Sequence, residues 1–122
     1  MASILRVNTL TDASSNNSIA TSVLFSGTAK VWSTCSADGT SVLDSFNVSG
    51  IADTATGKQT ISFANDFSDA NYCSNMSNTG GTTKFIGTTT TTASSLLVYG
   101  FNADDSGFSD TQIATQINGD LA

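Results

Sequence analysis

The stretch Ser26-Gly-Thr-Ala-Lys-Val-Trp-Ser-Thr-Cys-Ser-Ala-Asp-Gly-Thr-Ser-Val-Leu-Asp-Ser-Phe-Asn-Val-Ser49 reads as a β-hairpin and decides the fold class. Ala29, Val31 and Ser33 alternate with Lys30, Trp32 and Thr34, the period of two that a half-buried strand imposes. The Asp38-Gly39 dipeptide supplies a two-residue turn, and Val42 to Val48 returns as the partner strand.

The same alternation continues outward from this hairpin. After a loop over Gly50 to Lys58, Gln59 to Phe63 sends Ile61 and Phe63 inward and Thr60 and Ser62 outward. Phe67 and the Asp69-Ala-Asn-Tyr72 turn lead into a strand over Tyr72 to Met76. There Tyr72, Ser74 and Met76 share one face and Cys73 and Asn75 the other. Asn78-Thr-Gly-Gly81 marks a loop, and Thr82 to Thr92 and Ser95 to Asn102 are two further strands. Thr111 to Ile117 places Ile113, Thr115 and Ile117 on one face; the spacing of Ile113 and Ile117 also suits a short helix, and strand is preferred. On the N-terminal side, Ile4 to Thr11 alternates with Leu5 and Val7 on one face, Asp12 to Ser18 is a polar break, and Val23 to Phe25 gives another strand signal. About eight short strands with turn chemistry between them predict an all-β chain, an antiparallel β-sandwich or jelly-roll-like domain with an extended N-terminal arm. Residues 1–22 are read as arm and hinge, and residues 23–122 as the β-sandwich domain.

Composition agrees. A chain of 122 residues suffices for one core that buries roughly two-thirds of its unfolded surface. Charged residues are only 11%, Glu, Pro and His are missing, and Ser, Thr, Asn and Gly dominate, which favours strands and turns over helix interiors. The net charge of −6, from Arg6, Lys30, Lys58 and Lys84 against ten Asp, offers no basic surface for a phosphate backbone or an anionic bilayer. No nucleic-acid partner and no membrane insertion are expected, since no apolar run reaches the length of a span. Met1-Ala-Ser-Ile-Leu-Arg lacks the features of a signal peptide, so Cys35 and Cys73 are expected to be reduced small hydrophobes in strands, with late pairing left open.

Little chemistry is on offer. Without His or Glu neither a Ser-His nor a Cys-His pair can be built, and hydrolysis would rest on Asp66, Asp69, Asp104, Asp105 and Asp110, all beside turn residues where Asp stabilises the backbone. No catalytic residue, cofactor or metal site is assigned, and the chain is read as not an enzyme. Asn102, Asp104, Ser106 and Asp110 with Gly107 follow a calcium-loop spacing, but Ile113 stands where the bidentate Glu belongs, so a strand-connecting loop is preferred. The Thr88 to Thr92 run reads as an edge or interface strand. Trp32, Tyr72 and Tyr99 have the chemistry to stack on a sugar, yet each lies inside a predicted strand and a role as core or interface aromatic is preferred.

The order Gly27-Thr-Ala-Lys-Val-Trp32, Asp44-Ser-Phe-Asn-Val-Ser49, Asp69-Ala-Asn-Tyr72 and Gly119-Asp-Leu-Ala122 resembles the C-terminal domain of tail-fibre-like virion proteins of bacteriophages, marine ones especially. Ile4-Leu-Arg-Val-Asn-Thr-Leu-Thr-Asp-Ala-Ser-Ser-Asn-Asn17 is similar to the segment that often begins them. The resemblance implies a virion surface structural protein assembled in the host cytoplasm, a short tail spike or fibre-type subunit for host attachment. It further implies an arm bound to a virion component, a homotrimer and a host-surface receptor. The family's repetitive shaft is missing, since only residues 18–26 separate the two matching parts. A capsid decoration or knob protein and a carbohydrate-binding β-sandwich module are the alternatives.

Overall fold

A computed structural model describes residues 3–80, 84–104 and 106–122. Eight strands form two four-stranded antiparallel sheets: β3 (Val31–Cys35), β4 (Val42–Phe46), β7 (Cys73–Asn78) and β10 (Ile113–Asn118) in the order β4-β3-β10-β7, and β5 (Val48–Ala55), β6 (Lys58–Phe63), β8 (Lys84–Thr91) and β9 (Ser95–Asn102) in the order β5-β6-β9-β8. Strand is the observed form of the Thr111 to Ile117 segment. The sheets close over Val31, Cys35, Ile61, Phe63, Phe67, Leu96, Val98, Ile113 and Ile117, with Val48, Ile51, Tyr72, Met76 and Ile86 packed around them. The core is therefore the inward half of each alternating strand, as a β-sandwich requires.

The four central strands carry the clearest alternation because each must bury one face completely. Val31, Ser33 and Cys35 of β3, Ile113, Thr115 and Ile117 of β10, Gln59, Ile61 and Phe63 of β6, and Leu96 and Val98 of β9 are all buried. At one end Phe67 lies 4.7 Å from Tyr72 and 5.2 Å from Phe63, centroid to centroid, and the C-terminal segment is tied there by the Ser68 N–H to Asp120 O bond of 2.9 Å. At the other, buried Gln59 donates from Nε2 to the carbonyls of Ser36 and Ala37 and holds the β3–β4 loop against the sandwich.

Several local readings are corrected. The β3–β4 connection runs from Ser36 to Ser41, with Gly39 at φ +66°, and is not a two-residue turn. Asp38 builds this longer loop by accepting hydrogen bonds from Ser36 Oγ and the Thr40 N–H. Nor is Val42 to Val48 one strand. At Asn47, φ +58°, the chain leaves the first sheet and enters the second as β5, a left-handed corner that Asn tolerates better than most residues. Asn47 Nδ2 donates to Lys30 O and Asn65 O, and its Oδ1 accepts from the Asn65 N–H at 2.8 Å, so one side chain ties three segments. The segment from Gly50 is not a loop but the continuation of β5 to Ala55, and only Thr56 and Gly57 turn the chain into β6.

The N-terminal portion is not simply extended. Thr9–Thr11 (β1) and Ser18–Ala20 (β2) pair as a separate two-stranded ribbon, and the polar break between them is a hairpin loop organised by Asp12. Val23 to Phe25, expected as strand, lies in helix α1 (Thr21–Gly27), where the run of three apolar residues lacks the alternation of a strand. No residue of β1, β2 or α1 is buried. Thr82 and Thr83, the start of the strand expected over Thr82 to Thr92, and Gly81 of the preceding loop lie outside the described residues.

Candidate functional site

Of the five Asp residues weighed for chemistry, Asp69, Asp104 and Asp110 use their side chains to hold backbone geometry. Asp104 accepts from the Ser106 hydroxyl at 2.6 Å and the Ser106 N–H, Asp69 from the Asn71 N–H at 2.7 Å, and Asp110 from the Gly57 N–H at 2.5 Å. Asp66 contributes its carbonyl to the Ala122 N–H, and Asp105 lies outside the described residues. In the loop with calcium-like spacing, the Asn102 carbonyl oxygen accepts from the Lys84 ammonium at 2.7 Å, and Lys84 also reaches Ser109 Oγ. The first oxygen of that pattern thus faces a cation of the chain itself, and the ninth is turned to Gly57. No group of three His, Cys or Asp/Glu side chains converges among the described residues.

Hydrogen bonds to the ionised carboxylates hold several Asp residues below the ordinary value of 3.8: Ser36 acting on Asp38, Asn17 on Asp12, Ser106 on Asp104, and the Asn71 backbone on Asp69. A depressed folded-state pKa contributes stability above the ordinary value that is lost as pH falls through the lowered one. With no His or Glu in the chain, the thermal midpoint should stay level from pH 8 to about pH 5 and fall only below about pH 4. A midpoint series across pH 2 to 8 checks this, and a step between pH 5 and 7 would contradict it.

The two cysteines are placed at opposite ends of the first sheet. Cys35 is buried opposite Ile113, and burial pushes its thiol above the ordinary range; Cys73 is opposite Asn118 and exposed. The five-residue offset along β10 corresponds to roughly 16 Å of strand, too far for a disulfide. Cys73 is accordingly not the buried hydrophobe expected of it.

The three stacking candidates separate. Tyr72 packs on the core aromatics and donates its hydroxyl to Ser95 O at 3.0 Å, which fits a packing role. Tyr99 lies on the outer face of the second sheet, its ring across Gly87 and 5.5 Å from Phe108. Trp32 points away from the core, 39% exposed, beside Phe46 at 54%. Trp32 is therefore not a core aromatic but stands on an exposed face of the first sheet.

Around Trp32 the pairing registers align an outward row of Phe46, Trp32, Gln116 and Asn75 across all four strands. A second row, Asp44, Thr34, Ala114 and Ser77, runs beside it. Because the second row is small at its centre, a cleft of about 360 Å³ lies beside Trp32, Gln116 and Asn75, lined also by Thr34, Ser77 and Ala114, with Phe46 and Asp44 outside it.

Other apolar side chains are exposed toward the N-terminus: Ile4 (76%), Leu5 (79%) and Phe25 (67%), together with Val7, Leu10, Ile19 and Val23. The Thr88 to Thr92 run falls largely on β8, an edge strand of the second sheet, with a register shift between Thr88 and Thr90 that breaks the edge. No helix among the described residues is long and apolar enough to cross a membrane. No family model, curated protein or solved structure matches this chain.

Proposed function

We propose that this chain is a non-enzymatic virion surface protein of a bacteriophage, a short spike or fibre-type subunit whose N-terminal segment fixes it to a particle component while the β-sandwich faces outward for host attachment. The observation that carries the reading is the concentration of uncovered apolar side chains in Ser3 to Gly27, a segment with no buried residue. A seven-residue helix and a ribbon of three-residue strands are too short to persist alone in water. Their side chains need a cover that the sandwich does not give them, and an assembly partner supplies it. The order of motifs along the chain, similar to that of tail-fibre-like proteins, supports a virion setting and a threefold assembly.

The test leaves the sandwich untouched. Leu5→Asp, Val23→Asp and Phe25→Asp, combined in one chain, alter exposed positions only. The variant is expected to keep the circular dichroism and thermal midpoint of the parent. Its mass by light scattering should fall from trimer to monomer, and its incorporation into particles should be lost. A parent that is monomeric both in solution and on particles, or a variant that still incorporates, would overturn the reading.

A further inference from the structure

We propose that the outer face of the first sheet binds a neutral oligosaccharide along the Phe46, Trp32, Gln116 and Asn75 row, with Trp32 in the cleft and Phe46 next to it, outside the cleft lining, as stacking platforms and Gln116 and Asn75 as hydrogen-bonding groups. The proposal rests on the attachment reading for its biological setting and gives that reading a ligand class and a site.

A pyranose ring presents an apolar C–H face and a rim of hydroxyls, so a protein surface that holds it needs an aromatic plane with donors and acceptors alongside. The Phe46, Trp32, Gln116 and Asn75 row supplies both in one line. With strands about 4.8 Å apart, the row spans about 14 Å, the reach of about three sugar units.

Trp32 is held for this task. Val31 and Ser33 are buried on either side of it, which anchors the backbone, while the cross-strand neighbours Phe46 and Gln116 flank the residue and part of its surface stays exposed. Its N–H has no hydrogen-bond partner among the described residues and is free to meet a ligand hydroxyl. Gln116 makes one long side-chain contact, 3.5 Å from Nε2 to Asn118 Oδ1, which leaves its carbonyl oxygen free.

Charge and texture narrow the occupant. None of Arg6, Lys30, Lys58 and Lys84 lines the cleft, and the charged member of the two rows is Asp44, so sulfated, phosphorylated or uronic sugars meet repulsion and no counter-charge. The floor of Thr34, Ala114 and Ser77 is small and carries two hydroxyls that can meet the hydroxyl rim of a sugar. A neutral glycan fits both features.

The chain has one tryptophan, so intrinsic fluorescence of the full-length protein reports on Trp32 directly. Cellohexaose, maltohexaose and mannohexaose are the neutral probes and oligogalacturonate the acidic one. At least one neutral probe is expected to shift the emission saturably. Gln116→Ala and Phe46→Ala should each weaken that binding about tenfold, while Phe85→Ala on the opposite sheet leaves it unchanged. Trp32→Ala, followed by calorimetry, should abolish binding, and Trp32→Phe should restore part of it; circular dichroism verifies that each variant is folded. The proposal is overturned if no neutral probe shifts the emission, if oligogalacturonate binds as tightly, or if Gln116→Ala and Phe46→Ala bind as the parent does. The arm variant described above should bind sugar normally and Gln116→Ala should assemble normally, so failure of the cleft and failure of the assembly reading give different results.

Discussion

Ile61→Asp and Phe63→Asp are expected to give no folded protein, whereas Thr60→Asp and Ser62→Asp on the same strand should fold and lose at most a small part of the stability. Ile61 is fully buried in β6, opposite Ile51 of β5 and Leu96 of β9, and Phe63 is 5% exposed and sits in the aromatic group with Phe67 and Tyr72. Neither site offers a cation, since Lys30, Lys58 and Lys84 are engaged elsewhere, with Thr28, the Phe108 ring and Asn102, and Arg6 is exposed in the N-terminal segment. An unpaired carboxylate there either stays ionised at a cost of several kcal/mol or takes up a proton at a comparable one. The lost transfer energy and packing of the original side chain add about 2–5 kcal/mol. Domains of this size have about 5–15 kcal/mol in total, so either substitution removes most of it. Thr60 and Ser62 are half-exposed on the other face, where a carboxylate keeps its water. Soluble yield and far-UV circular dichroism of the four variants decide the matter, and similar losses in all four would mean that the outer face of β6 is covered as well.

The contrast within β6 shows what was legible in the sequence. A strand in the middle of a sheet must bury every second residue, and Val31 to Cys35, Gln59 to Phe63, Leu96 to Gly100 and Ile113 to Ile117 state that requirement in their composition. Edge strands are under weaker demand. The second half of β5, Ala52 to Ala55, is exposed and carries no alternation, so nothing in those residues distinguishes strand from loop. The sheet-to-sheet corner at Asn47 was hidden for a different reason: its signal is one residue with a positive φ, and the apolar pattern runs through it from Phe46 to Val48 without interruption. Short local structures decided by hydrogen bonds, such as the Ser36 to Ser41 loop and α1, have no hydrophobic period to read. The binding face was half legible. Alternation already set Trp32 opposite Val31 and Ser33, yet only the sheet order, which puts Gln116 and Asn75 beside it and leaves the face uncovered, separates a packed aromatic from an open one.

Gly57→Ala should be the most damaging substitution to alanine among the described glycines, costing about 2–5 kcal/mol. Gly57 turns β5 into β6 at φ +68°, where an L side chain is disfavoured by about 1–2 kcal/mol. A Cβ there would also lie 2.5 Å from the Ser109 nitrogen and 2.8 Å from the Gly100 oxygen, backbone atoms that cannot rotate away. Both of those atoms belong to a closed set of bonds. Gly57 N–H donates to the Asp110 carboxylate, the Gly100 N–H donates to Gly57 O at 2.8 Å, and the Ser109 N–H donates to Gly100 O at 3.0 Å. Relieving the clash therefore means opening the contact between the β5–β6 turn of the second sheet and the segment that enters β10 of the first. Gly50→Ala is the matched comparison, since Gly50 has no positive φ and nothing within 4 Å of the added carbon. It should change stability by less than about 1 kcal/mol, in the stabilising direction if at all, because alanine restricts the unfolded chain. Urea unfolding of the two variants measures the difference. Equal midpoints would show that the turn yields without disturbing the Asp110 bond, and that Gly57 does not couple the two sheets.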